Sequence, residues 1–352
     1  MSSPGTSRRR SQQPRMEDVA AAAGVSRALV SLVMRDSPQA SARARIVVIE
    51  AANRLGYRRN IAASNLAARR TMTVGLLLND LHNPWYAEVA DGIHAIAERN
   101  GYQVILATGR RSPAVESRAV DAFLSSRVDG IIVAGCRMPH ARLAAIAGEV
   151  PVVSAGRLLS GAALGSVSAD DGEGARLAVQ HLYDLGHRHI AHIDGGRGAG
   201  SAPRRAGYIA AMRAVGLGDN VRVVSGDFTE EAGNRAGRRM LRDGAVPTGF
   251  FAANDLSAVG LIDAFDDAGL TVPDTASVVG YDNTAFAALN HIGLTTIDQP
   301  SNQMGRVAAT MLLGSLTGDA PLEHIQMRPQ LVVRTTTGPA RSVSEPGPMN
   351  PG

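Results

Sequence analysis

Polar and aromatic residues in this chain fall repeatedly just after short apolar runs. Asn83-Pro84-Trp85-Tyr86 follows TVGLLLND, Arg157 follows PVVSAG, Arg204 opens a helical stretch after AHIDG, Phe228 follows VVSGD, Asn254-Asp255 follows GFFAA and Asp282 follows SVVGY. If the runs are parallel strands, these residues gather at carboxyl ends, where open α/β sheets bind ligands. The chemistry on offer is recognition: guanidinium and carboxylate groups suit paired hydroxyls, and aromatic faces offer stacking. Taken singly, Asp170 and Asp255 read as caps of the helices that follow. GHRHIAH at 186–192 concentrates three histidines. Two of them sit on a strand entering a core, and no thiol or carboxylate set joins them, so no metal site is expected. The glycine run at 195–200 has Ser201 where a dinucleotide loop needs its last glycine. There is no P-loop, H-E-x-x-H or G-x-S-x-G pattern. No catalytic residue, cofactor or enzymatic activity is expected.

The elements that must position these residues alternate. TVGLLLND (73–80), YQVILAT (102–108), VDGIIVAG (128–135) and PVVSAG (151–156) read as buried strands, separated by helices at 85–100, 113–126 and 141–147. The series restarts with a helix at 174–185, then HIAHIDG, a helix at 204–215, RVVSGD, a helix at 230–243, GFFAAN, a helix at 256–268 and ASVVGYD. Such alternation predicts parallel sheets with helices on both faces. Two doubly wound lobes with a cleft between them follow.

Composition bounds the rest. The 352 residues suggest two or three domains, and 45% hydrophobic content supplies large cores. Cys136 is the single cysteine, so no intrachain disulfide can form and nothing argues for secretion. The arginine-bearing N-terminus has no apolar core of a secretory signal, and no apolar run of about 18 residues could span a bilayer. A cytoplasmic protein with no membrane partner is expected. The net charge of +4 hides an asymmetry: residues 1–71 hold 13 Arg against 4 acidic residues, or +9, which leaves −5 on the remainder. A basic piece joined to a mildly acidic body points to nucleic acid at one end only.

That basic piece has its own pattern. Glu17–Ala23 has apolar residues at helical spacing, Gly24 can end a helix in the left-handed region, and Ser26 is a natural N-cap for a second helix over Arg27–Met34. This is the layout of a helix-turn-helix, whose second helix enters the major groove of DNA. A third helix, Ala42–Leu55, is read with apolar residues at Ile46, Val47, Ile49, Ala52 and Leu55.

D-V-A-x-x-A-G-V-S at Asp18–Ser26, Val30-Ser31, the Arg45 helix and Leu55-Gly56-Tyr57 resemble the LacI/GalR family of bacterial repressors, over roughly residues 15–337. The fold that the resemblance implies is an all-α helix-turn-helix headpiece plus an α/β periplasmic-binding-protein-like core of two doubly wound parallel-sheet lobes. The expected division is a basic tail at 1–14, headpiece at 15–59, hinge helix at 60–71, core at 72–337 and a tail at 338–352. One lobe would take about 72–168 and 297–327, the other about 169–296 and 328–337, with crossings near Ala169, Thr296 and Met327 and a last strand over 328–336.

The resemblance also implies residue roles. Base contacts fall on Arg27, Ala28 and Leu32. Ser26 and Ser31 are phosphate contacts, which position rather than specify. Asn60 belongs to the hinge, and Leu66 would be the wedge that parts base pairs in the minor groove. In the core, Arg204, Asn254 and Asp282 would contact effector hydroxyls, with Trp85, Tyr86 and Phe228 as aromatic walls, Arg157 at a strand end and Gln299 at a lobe crossing. The chain departs from the family pattern at Leu29, Leu32, Arg59 and Gly156, where Thr, Arg, Pro and Asp are usual. The expected partners are double-stranded operator DNA, a sugar-like effector and a second copy in a homodimer. A sugar-binding transport protein of the same core fold is the alternative, and a nucleotide-cofactor enzyme stands behind it.

Overall fold

The computed structural model describes residues 14–34, 37–57, 70–244 and 246–341. The chain divides into two compact units that meet at residues 71 and 72. In the first unit, helices α1 (Met16–Ala23), α2 (Arg27–Met34) and α3 (Ala42–Leu55) enclose a small core. Their boundaries are local. Gly24 takes φ +64° and its N–H bonds back to α1, while Ser26 Oγ accepts from the Leu29 N–H at 3.2 Å and starts α2. Ser41 caps α3 in the same way.

The buried stripe of α3 differs from the sequence reading. Val48, Ala51 and Ala52 face the core, whereas Ile46, Val47, Ile49 and Leu55 are exposed. Residues 46–49 are all apolar, so periodicity within that run cannot select a face. Packing against α1 and α2 selects it.

The second unit is built on two six-stranded sheets. The first lobe's sheet holds β1 (Thr73–Leu78), β2 (Gln103–Thr108), β3 (Gly130–Ala134), β4 (Val152–Ala155), β5 (Leu164–Ala169) and β11 (His324–Met327). Its order is β11-β5-β4-β3-β1-β2, with every pairing parallel. Helices α4 (Pro84–Arg99), α5 (Pro113–Ser125), α6 (His140–Ala147) and α11 (Ser301–Thr317) belong to this lobe, α4 packing on α11. Runs such as GIIVA are buried throughout, as expected where helices cover both faces.

The second lobe's sheet runs β12 (Gln330–Val332), β10 (Thr295–Asp298), β9 (Ser277–Tyr281), β8 (Gly249–Ala252), β6 (Ile190–Ile193), β7 (Arg222–Val224). Its helices are α7 (Asp171–Asp184), α8 (Ser201–Ala214), α9 (Glu230–Asp243) and α10 (Asp255–Asp266). The edge strand β12 is antiparallel to β10, because it returns directly from β11 in the other lobe. The chain changes sheets between β5 and α7, between β10 and α11, and between β11 and β12. Strands β5, β10 and β11 and helix α11 have no counterpart in the sequence-based series. LGSVSA and TTID are small and polar, and lack the apolar run that marks a buried strand.

Candidate functional site

The two lobes face each other across a cleft at the carboxyl ends of their strands, and an inner cavity lies there. In the first lobe the motif Asn83-Pro84-Trp85-Tyr86 makes the wall. Asn83 caps α4, its Oδ1 accepting from the Trp85 N–H at 3.0 Å, and Pro84 suits the first helical turn. Both aromatics are thereby set over strand ends. A Cβ at Gly156 would lie 2.6 Å from the Trp85 indole, and one at Gly135 would lie 2.2 Å from the Tyr86 hydroxyl. Both glycines have positive φ. The indole therefore covers the place where a side chain at position 156 would stand. The two rings meet edge to face at 4.9 Å. Burial pushes the Tyr86 hydroxyl well above its ordinary range, and it accepts from Asn79 Nδ2 at 3.2 Å.

In the second lobe the wall is charged. Arg204, on the first turn of α8, is buried and donates from Nε and Nη2 to Asp171 Oδ1 at 3.1 and 2.6 Å, and from Nη1 to the Ala253 carbonyl. Its guanidinium lies 3.3 Å over the Tyr281 ring. Of the five N–H groups in a guanidinium, two remain for a ligand. Phe228, at φ +71°, rests its ring on the loop at 195–200, where a Cβ at Gly195 or Gly198 would fall within 2.4 Å of it. Asp282 accepts from Gln299 Nε2 at 2.5 Å. Burial and then the charge of Asp255 push its carboxyl well above the usual range, against Arg204 and the hydrogen bonds from Gln299 and Asn83. A protonated Asp282 can donate to a hydroxyl as well as accept from one.

Trp85, Tyr86, Arg204, Phe228, Asp282 and Gln299 thus line one cavity. Two other expected contacts stand apart from it. Arg157 turns its Nη1 to the carbonyls of Cys136 and Met138, at 3.3 and 2.7 Å, and borders a neighbouring cavity. Asn254 is fully buried: its Oδ1 caps α10 through the Ser257 N–H and its Nδ2 bonds the Phe228 carbonyl. Asn254 is therefore corrected from a hydroxyl contact to the support of the Phe228 turn. Asp255 is not the cap. It accepts from Thr284 N and Oγ1 and from Thr296 Oγ1, and its pKa is raised to about 6, chiefly by burial. Asp170 does cap α7, through the Glu173 N–H.

Sequence reasoning passed over Asp171, Asn79, Arg111, Arg137 and Asp227. Arg111 and Asp227 form an ion pair of 3.0 Å between the lobes at the rim. Burial raises the Asp227 pKa, but hydrogen bonds from Thr229 and Arg111 and the Arg111 charge outweigh it and hold the carboxyl below its usual range. Both residues follow strands, β2 and β7, so the rule that found Phe228 could have flagged them.

On the headpiece, α2 exposes Arg27 and Ala28 at its first turn. Arg27 pairs with Glu17 at 3.2 Å, with side chains 71% and 58% exposed, a surface contact easily given up. Ser26 and the half-buried Ser31 flank them. Leu29 and Leu32 both pack in part against the headpiece core, so Leu32 presents only part of its side chain to a groove. Asn60 and Leu66 lie outside the described residues. No described helix is long and apolar enough to cross a membrane.

Residues 15–60 match the profile of the bacterial regulatory proteins of the lacI family, and residues 179–337 match that of the periplasmic binding protein-like domain. The catabolite control protein A of Priestia megaterium is 35% identical over 301 residues, which cover 84% of this chain and 90% of that protein. Among solved structures, the lac repressor dimer bound to operator and the anti-inducer ONPF is similar with a TM-score of 0.83 at 29% identity, over 93% of this chain and 100% of that one. A complex of the transcriptional regulator CelR with cellobiose is similar with a TM-score of 0.68 at 32% identity, over 92% of this chain and 99% of that one.

Proposed function

The chain belongs to the LacI family of bacterial regulatory proteins, and from that premise we propose that it is a sequence-specific transcriptional repressor governed by a small sugar-like molecule in the interlobe cleft. The observation that carries this is the union, in one chain, of a Ser26-capped helix exposing Arg27 and Ala28 with a two-lobed core whose aromatic and buried polar groups converge. It acts in the cytoplasm as a homodimer on operator DNA. Two copies of α2 enter successive major grooves of a pseudo-palindrome, with headpiece at 15–59, hinge at 60–71 and core at 72–337. Arg27 can donate a bidentate pair to guanine, Ala28 offers apolar contact, and Ser26 and Ser31 hold phosphates. Leu66 acts as the minor-groove wedge and Asn60 as part of the hinge.

In the core, Trp85, Tyr86 and Phe228 form the walls, and Arg204, Asp282 and Gln299 supply hydrogen bonds. A ligand that bridges these walls favours the closed lobes. DNA and effector then bias one two-state element, so each alters the affinity of the other by the same factor. Selection of bound sequences from a random duplex library, at stated salt, tests the reading. A recovered palindrome with a deformable central step is expected. Salt-sensitive binding without sequence preference would overturn it.

A further inference from the structure

The inner cavity is one half of a larger space. A second, roomier cavity opens beside it, and Arg137, Gly156, Gly198 and Ala199 line both. Charge on the outer walls is not balanced by ion pairs among the described residues. Asp171 is committed to Arg204, and Arg111 to Asp227. Arg137, Arg157 and Arg197 line the outer cavity, and among the described residues none of them has a carboxylate within ion-pair distance. The one carboxylate left there is Asp170, which caps α7.

Hydrogen bonding is incomplete at the same walls. Among the described residues, Arg137 Nη1 reaches only the Arg111 carbonyl, at 3.4 Å, and its Nε is buried with no partner. Ser168 Oγ, on a residue 4% exposed, lines the outer cavity without a partner among the described residues. Asn79 Oδ1 and Trp85 Nε1 stand in the same condition around the inner cavity. Buried polar atoms of folded proteins are nearly always hydrogen bonded, so these four atoms mark the surface a ligand completes. A guanidinium is permanently charged, and its fork fits planar or tetrahedral oxyanions.

We propose that the effector has two parts, a hydroxylated body in the inner cavity and an anionic phosphate or carboxylate group in the outer cavity, held by Arg137 with Ser168. This rests on the regulator reading above and narrows its ligand. Glu116 is engaged by the Arg137 backbone N–H and the Cys136 thiol, so a neutral sugar would leave the Arg137 guanidinium without an ion-pair partner among the described residues, whereas an acidic or phosphorylated one supplies it. Arg137, lying on both cavities, is then the residue that selects charged over neutral ligands.

The test uses the full chain. Its unfolding temperature is followed while sodium phosphate, or separately sodium acetate, replaces sodium chloride at constant ionic strength. A saturable rise of a few degrees with one of the anions is expected, because a ligand that binds only the folded state stabilises it. Phosphate acting alone identifies a phosphate ester, and acetate acting alone identifies a carboxylate. Arg137→Gln weakens the apparent affinity at least tenfold and Arg137→Lys recovers part of it. Should Arg137→Gln fail to fold, Ser168→Ala and Arg137→Lys give the same reading as several-fold losses. The proposal is overturned if neither anion exceeds chloride, or if the variants respond as the parent does. Operator selection run in parallel separates the two claims. Specific DNA binding without an anion effect removes the anionic subsite alone, and an anion effect without specific DNA binding removes the regulator reading alone.

Discussion

The two lobes build their halves of the cleft by different physics. The first lobe offers shape: Trp85 and Tyr86 lie on Gly156 and Gly135, with no room for a Cβ beneath either ring. The second lobe offers buried charge: Arg204 with Asp171, and Asp282 beside Asp255. On one wall a single carbon atom alters the site; on the other a proton or a charge does. In the inner cavity a ligand is therefore read sterically from one side and electrostatically from the other, while the anionic group proposed for the outer cavity is read by Arg137 of the first lobe.

The largest expected effect breaks the charged wall. Arg204→Ala leaves Asp171 buried and unpaired, and removing one partner of a buried pair costs about 3–5 kcal/mol. Urea denaturation should record that loss together with loss of the effector response, and Arg204→Met with Asp171→Leu should recover much of the stability. Stability unchanged in the single variant would mean that the second wall is not held by charge.

Acid sharpens the same contrast. His192 lies stacked on Phe251 with the Tyr208 ring tilted against it, its Nδ1 meets the Phe251 carbonyl at 2.9 Å, and burial pushes its pKa down to about 4. The unfolded histidine takes up a proton below about pH 6.5, while the folded one does so only near pH 4. Its contribution is thus present above pH 6.5 and lost as pH falls toward 4, up to about 3 kcal/mol. Asp255 acts oppositely. Its folded pKa of about 6 lies above the ordinary 3.8, so its contribution is complete below pH 3.8 and lost as pH rises through 6. His192→Phe should remove the acid-side loss and expose the opposite slope. A variant whose stability–pH curve parallels that of the parent would refute the assignment.

On the shape-built wall, Gly156→Ala should cost about 1–3 kcal/mol through overpacking. It should also displace Trp85, which as the single tryptophan reports the shift directly by its emission. Unchanged emission and stability would show that the ring does not need the glycine. The smallest effect belongs to the rim. Arg111→Ala removes a half-exposed pair worth at most about 1 kcal/mol, so denaturation should barely move while effector release quickens a few-fold at low salt. Equal release rates would mean that the pair does not hold the lobes closed.

Legibility followed the range over which each feature is decided. Positions after strands were readable, and the cavity gathers six of the residues so chosen. The exposed face of α3 was misjudged because a run of apolar residues does not announce which neighbour each one meets. Asn254 took the cap read for Asp255, and Asp255 turned inward to Thr284 and Thr296, since two adjacent polar residues at a helix start are distinguished only by what surrounds each one.

The helix-turn-helix, the alternation of strands and helices and the strand-end placement of the cleft residues were written in the sequence, because caps, turns and periodicity act within a few residues. The partners were not. Arg204 finds Asp171 across 33 positions, and Arg111 finds Asp227 across 116. Trp85 and Gly156 meet only when the first sheet is assembled, and Arg137 faces two cavities only when both lobes are present. Spacing along a chain carries no measure of approach across a cleft, so burial, ion pairing and the unpartnered atoms awaiting a ligand were settled by folding.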